Sequence, residues 1–157
     1  MGKIRSVLFI CTGNSCRSIM AEGLLKKRLK ELGKTGITVR SAGIRAIDGF
    51  SPTNETIEVM KSEGVDLSGF KSAGITEELI KGSDLILVMS PLHKDEVIRR
   101  VPEAVSKTFL LREYGRAEKI KALIDSDIPD PIGLPASGYR VCLDMIKEDI
   151  ERVAKLL

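Results

Sequence analysis

The sequence predicts an α/β fold: a single three-layer domain whose four-stranded parallel sheet carries helices on both faces. Two observations carry that expectation. Short apolar runs alternate with longer amphipathic stretches, which is the pattern of strands joined by crossover helices. The run Asp84–Met89 is apolar throughout rather than alternating, as a strand buried on both faces must be. The length of 157 residues suits one domain with its own core, and no linker or repeat divides it, so residues 1–157 are read as one unit.

Ser6–Ile10 (SVLFI) is the first strand. A polar loop follows from Cys11 to Arg17. Ile19 to about Leu32 is helical, with Met20, Leu24, Leu25, Leu29 and Leu32 on one stripe and Gly33 at its end. Ile37–Ser41 is the second strand, closed by Ala42-Gly43. Ser51-Pro52 is read as the start of a helix that stops at Gly64. Thr76-Glu77-Glu78 opens a short helix ending near Gly82, before the third strand at Asp84–Met89. Ser90-Pro91 starts the next helix, which ends before Pro102. Lys107–Leu111 is a weaker fourth strand. Arg112–Pro135 looks irregular. About Gly138 to Leu157 is a long final helix, apolar at Cys142, Ile146, Ile150, Val153 and Leu157, and its charges read as a solvated face.

Composition narrows the function. Aromatics are only 4% with no Trp, which disfavours a base-stacking surface, and a net charge of +3 is too small for a polyanion binder. No nucleic-acid partner is expected. No apolar stretch approaches the roughly 20 residues that span a bilayer, so no membrane partner is expected either. Three cysteines suit reduced thiols in the cytoplasm better than a disulfide framework, and a single histidine, His93, disfavours a metal centre. His93 is read as a surface or supporting residue. Tyr114 and Tyr139 are read as packing or surface residues.

In a parallel sheet, ligands gather at the carboxyl ends of the strands, so the loop after the first strand is the place for chemistry. It reads Cys11-Thr12-Gly13-Asn14-Ser15-Cys16-Arg17-Ser18. Gly13 and Asn14 tolerate the positive φ that a curled loop needs. Successive amides at a helix start converge on an anion, and Arg17 supplies a bidentate fork. A thiol facing those donors is stabilised as a thiolate, which is a nucleophile towards a bound phosphoryl group. The loop lacks the Gly-Lys-Ser/Thr of a nucleotide-binding loop and the Gly-x-Gly-x-x-Gly of a dinucleotide site. Asp125, Asp127 and Asp130 are all possible proton donors in the late loop.

The segment Cys11–Ser18 resembles the Cys-x-Gly-Asn-x-Cys-Arg-Ser signature of the low-molecular-weight protein-tyrosine phosphatases. Met20-Ala21-Glu22, Ser41-Ala42-Gly43 and Asp130-Pro131 match that family too, so the resemblance covers nearly the whole chain. It implies a metal-independent phosphatase without cofactor, acting on phosphorylated protein. Cys11 would be the nucleophile, Arg17 the phosphoryl ligand, Ser18 the support of the thiolate and Asp130 the general acid and base. Thr12 to Arg17 would form the phosphate-binding loop, Asn14 with Ser41 would hold its shape, and Cys16 would protect Cys11 by a reversible disulfide.

The chain departs from that pattern after Asp130-Pro131. Tyrosine-directed members carry aromatic residues there, whereas Ile132-Gly133 stand here. Thr12 and Gly133 also fit the branch that hydrolyses phosphoarginine, so Thr12, Ile132 and Gly133 are the expected specificity positions. Related arsenate reductases need two further resolving cysteines, and only Cys142 lies downstream of Cys16. A phosphate-binding module without catalysis would need neither Cys11 nor Asp130.

Overall fold

The fold is described from a computed structural model covering residues 2–157. Strands β1 (Ser6–Cys11), β2 (Thr38–Gly43), β3 (Leu85–Val88) and β4 (Thr108–Leu110) are all parallel and lie in the order β2-β1-β3-β4. Between them run α1 (Arg17–Glu31), α2 (Asn54–Ser62), α3 (Glu77–Gly82), α4 (Pro91–Arg100) and a short 3-10 turn at Pro102–Lys107. α5 (Glu118–Lys121) and α6 (Ala136–Leu156) complete the chain.

Alternation along β1 builds the three layers. Val7, Phe9 and Cys11 point into a core shared with Met20 and Leu25 of α1 and Ile146 and Ile150 of α6. Leu8 and Ile10 point the other way, against Ile80 of α3 and Val97 of α4. Side chains at successive strand positions face opposite sides of a sheet, so a strand between two helical layers is apolar at every position. β1 and β3 are accordingly buried along almost their whole length.

Boundaries moved in physically readable ways. α2 starts at Asn54 rather than at Ser51-Pro52, because Thr53 caps it, its hydroxyl accepting from the Thr56 amide at 3.3 Å. Within the stretch that reads as irregular, α5 forms a single turn. The charges of α6 are not all solvated. Asp149 is 0% exposed. It takes a bond from Arg152 at 2.9 Å and another from Arg116 at 3.3 Å, and Arg112 stands at 3.6 Å. Arg152 also donates to the carbonyls of Leu111 and Tyr114, at 2.6 and 2.7 Å. This cluster ties α6 to the segment that leaves β4. Among the described residues no helix is long and apolar enough to cross a membrane.

Candidate active site

The loop from Thr12 to Cys16 leaves the carboxyl end of β1, the strand between β2 and β3. Asn14 adopts φ 51°, the left-handed conformation open to Gly and Asn. Its buried side chain closes the curl. Oδ1 accepts from the Ala73 amide at 2.9 Å, which fixes the orientation of the carboxamide. Nδ2 therefore donates, to Ser18 at 2.8 Å and to Ser41 at 3.0 Å. The Ser41 hydroxyl donates in turn to Glu22 Oε1 at 2.6 Å.

The neighbouring glycine explains the rest of Ser41-Ala42-Gly43. A Cβ on Gly43 would lie 2.5 Å from the Thr12 carbonyl oxygen and 2.9 Å from the Asn14 nitrogen. Beyond Gly43 the chain keeps pairing with the loop, as Ile44 donates to Cys11 and Arg45 to Thr12, both at 2.9 Å.

The Cys11 sulfur is buried, 2.9 Å from the Ser18 hydroxyl. Ser18 already accepts from Asn14, so its single proton is free to point at the sulfur. Among the described residues, the amides from Gly13 to Arg17 have no acceptor within the protein. They are unpaired donors between the end of β1 and the N-terminus of α1, an arrangement that binds an anion. Arg17 lies over the same loop. Its Nη1 donates to the Ile128 carbonyl at 2.9 Å and Nη2 to the Thr12 hydroxyl at 3.3 Å. Nη2 also faces Asp130, 3.6 Å away. Of the three late-loop acids, Asp130 alone pairs with Arg17, while Asp125 accepts from the Asp127 amide.

A buried sulfur, a loop of unpaired amides, an arginine and a partly exposed acid thus stand together at the carboxyl end of β1. The sequence profile of the low molecular weight phosphotyrosine protein phosphatases matches residues 6–157. A protein-arginine-phosphatase of Geobacillus stearothermophilus is 36% identical over 151 residues, 96% of this chain and 95% of that protein. The chain belongs to the low molecular weight phosphotyrosine protein phosphatase family. The crystal structure of the low molecular weight protein tyrosine phosphatase from T. tengcongensis superposes with a TM-score of 0.87 at 36% identity, covering 97% of this chain and 99% of that one. A YwlE arginine phosphatase variant with a phosphorylated active-site serine gives 0.87 at 32% identity, covering 97% and 95%.

This phosphatase is therefore a cysteine-dependent, metal-independent enzyme. Its remaining site residues are placed as follows. Cys16 is buried, with its sulfur 3.6 Å from the Thr53 hydroxyl and 4.0 Å from that of Tyr139. Cys142 lies beneath the late loop, 3.9 Å from the Pro129 carbonyl, and burial pushes its thiol up to about 12. A thiol so reluctant to ionise is a poor partner in exchange chemistry. Ser15 is half-buried beside Cys16. Ile132 is exposed, and Gly133 turns the late loop with φ 85°.

Of the two places the sequence leaves open for His93, surface or supporting, the fold gives it the supporting one. It is 1% exposed and not a surface residue. Nε2 lies 2.9 Å from the Thr12 hydroxyl and Nδ1 3.2 Å from that of Ser90. Burial, and after it the Arg17 charge, lowers its pKa to about 4, so the ring is neutral. One signal was available. Ser90-Pro91 starts α4 at the carboxyl end of β3, which puts the first turn of that helix beside the β1 loop.

Proposed function

We propose that residues 1–157 act as one phosphatase domain that hydrolyses phosphotyrosine-type phosphoproteins in the cytoplasm through a phosphocysteine intermediate. The observation that carries this reading is the Cys11 sulfur, 2.9 Å from Ser18 and followed in the chain by a loop whose amides have no protein acceptor. The phosphoryl oxygens sit on those amides and on Arg17. The Cys11 thiolate attacks phosphorus in line. A P–S bond forms as the bond to the substrate atom breaks, and Asp130 gives its proton to that leaving atom. Water then attacks the phosphocysteine, Asp130 takes its proton, and phosphate leaves with the P–S bond broken. Ser18 steadies the departing sulfur, while Asn14 and Ser41 keep the loop in shape. Cys16 shields Cys11 from over-oxidation by a reversible disulfide. The phosphorylated serine in the related YwlE variant supports covalent transfer at this position.

Phe50 favours the tyrosine-type reading. Its exposed ring lies on a loop pinned at both ends to the phosphate loop, by Arg45 to Thr12 and by Thr53 to Ser15. It offers the aromatic contact that Ile132-Gly133 lack. A second reading, hydrolysis of phosphoarginine by the same mechanism, is favoured by Thr12, Gly133 and the named activity of the 36% identical relative. Here the P–N bond breaks, and Asp130 protonates the guanidine nitrogen.

Phosphate release from matched phosphotyrosine and phosphoarginine peptides, in EDTA and reductant, separates the two. Faster phosphotyrosine turnover supports the first reading, and faster phosphoarginine turnover the second. Cys11→Ser is expected to abolish turnover. Asp130→Ala is expected to lower kcat by about 10²–10⁴-fold. Turnover that survived Cys11→Ser would overturn the mechanism.

A further inference from the structure

We propose that His93 is a positioning residue, which acts through the Thr12 hydroxyl to hold Arg17 where it takes the phosphoryl group. The inference rests on the reading of Arg17 as the phosphoryl ligand.

Thr12 stands between the two groups. Its oxygen accepts from Arg17 Nη2 at 3.3 Å and lies 2.9 Å from His93 Nε2. A free threonine hydroxyl rotates. This one does not, whichever ring nitrogen carries the proton. If Nε2 is bare, Thr12 donates to it, and the polarised oxygen becomes a better acceptor for Arg17. If Nε2 carries the proton, Thr12 accepts from both sides and turns its own proton towards the loop. His93 is in turn oriented by Ser90, at 3.2 Å from Nδ1. Ser90 is the N-cap of α4, yet its hydroxyl makes no cap bond to a helix amide. A residue type that ordinarily satisfies a helix start here serves the imidazole instead.

The charged groups facing His93 are Arg17 and Asp130. Arg17 has few other holds. Nη1 is fixed by the Ile128 carbonyl at 2.9 Å, and Asp130 at 3.6 Å belongs to an exposed loop. The Thr12–His93–Ser90 chain is therefore the more rigid side of the guanidinium's seat, because His93 stands on α4 and Ser90 is that helix's N-cap.

The test uses the whole protein with p-nitrophenyl phosphate as substrate and inorganic phosphate as competitive inhibitor. Variants are His93→Leu, His93→Gln, Thr12→Val and the double variant His93→Leu/Thr12→Val. Glutamine places an amide where Nε2 stood; leucine does not. His93→Leu is expected to weaken phosphate inhibition and to lower kcat/KM together, each by about fivefold, the size of one lost net hydrogen bond. His93→Gln is expected to restore most of both. Because the path runs through Thr12, His93→Leu is expected to add nothing to Thr12→Val, as coupled sites do in a double-mutant cycle. A His93→Leu variant that only melts earlier, glutamine no better than leucine, or additive effects would each overturn the proposal. A wild type that turns over no phosphate would remove the proposed function and this inference with it. An active wild type that is indifferent to His93→Leu would remove the inference alone.

Discussion

Asn14 does several things at once at the scale of one residue. It supplies a positive φ, satisfies the Ala73 amide and directs the hydroxyls of Ser18 and Ser41. Asn14→Gly keeps the backbone freedom and deletes the bonds, so it isolates their contribution. We expect a loss of about 2–3 kcal/mol in chemical denaturation, since a buried amide is left without its partner, and a fall in kcat. His93 gives a prediction with a sign. In the unfolded chain its pKa is near 6.5, and in the fold it is about 4. Above pH 6.5 neither state is protonated and the fold pays nothing. As pH falls from 6.5 towards 4, the unfolded chain takes a proton that the folded one excludes, so stability declines, by about 3 kcal/mol at most. Denaturation midpoints across that window are expected to fall less steeply in His93→Gln than in wild type. At this scale the sequence was legible where chemistry is local. Cys11, Asn14, Arg17 and Ser18 lie within one short segment, whereas His93 meets Thr12 across 81 residues and is marked in the sequence by the Ser90-Pro91 helix start alone.

At the scale of elements, β1, β3 and α1 were readable because apolar periodicity decides them. The start of α2 was not, because Thr53 is fixed partly by the hydrogen bond that its amide donates to the Ser15 carbonyl, a contact across the fold. Asp149 was readable in principle. It falls three residues after Ile146 and four before Val153, on the apolar stripe of α6, where a carboxylate needs partners. Asp149→Asn leaves Arg112, Arg116 and Arg152 around a neutral group, with their mutual repulsion unrelieved. We expect a loss of about 3–5 kcal/mol, as for breaking a buried ion pair. Hydrogen exchange should locate the loosening at residues 111–116, which Arg152 and Arg116 hold through backbone carbonyls.

For the whole molecule, strand order decides which distant segments meet. With β1 between β2 and β3, the carboxyl ends of three strands deliver Cys11, Gly43 and the Ser90–His93 turn to one edge. Fold class followed from the alternation of runs, but the partners of each loop depended on that order, which no single run encodes. An anion held by the amides of the β1 loop therefore braces parts of the chain that are far apart in sequence. Inorganic phosphate at about 100 times its Kd is expected to add roughly 2.7 kcal/mol, a melting shift of about 5–10 °C for a domain of this size. EDTA is expected to change neither the melting point nor turnover.

The pairing of β2 with β1 runs unbroken from Ser6↔Thr38 to Cys11↔Gly43. That continuity makes β2 a gauge. The Ser41 hydroxyl and the bare Cα of Gly43 reach the loop together only because both are counted off from the same starting pair. Deleting Val39 or Arg40 would flip Ser41 to the opposite face of the sheet and slide a side chain into the space that Gly43 leaves open. Substitutions along the strand's outer edge can drift. Its length is as much a component of the site as the sulfur it helps to hold.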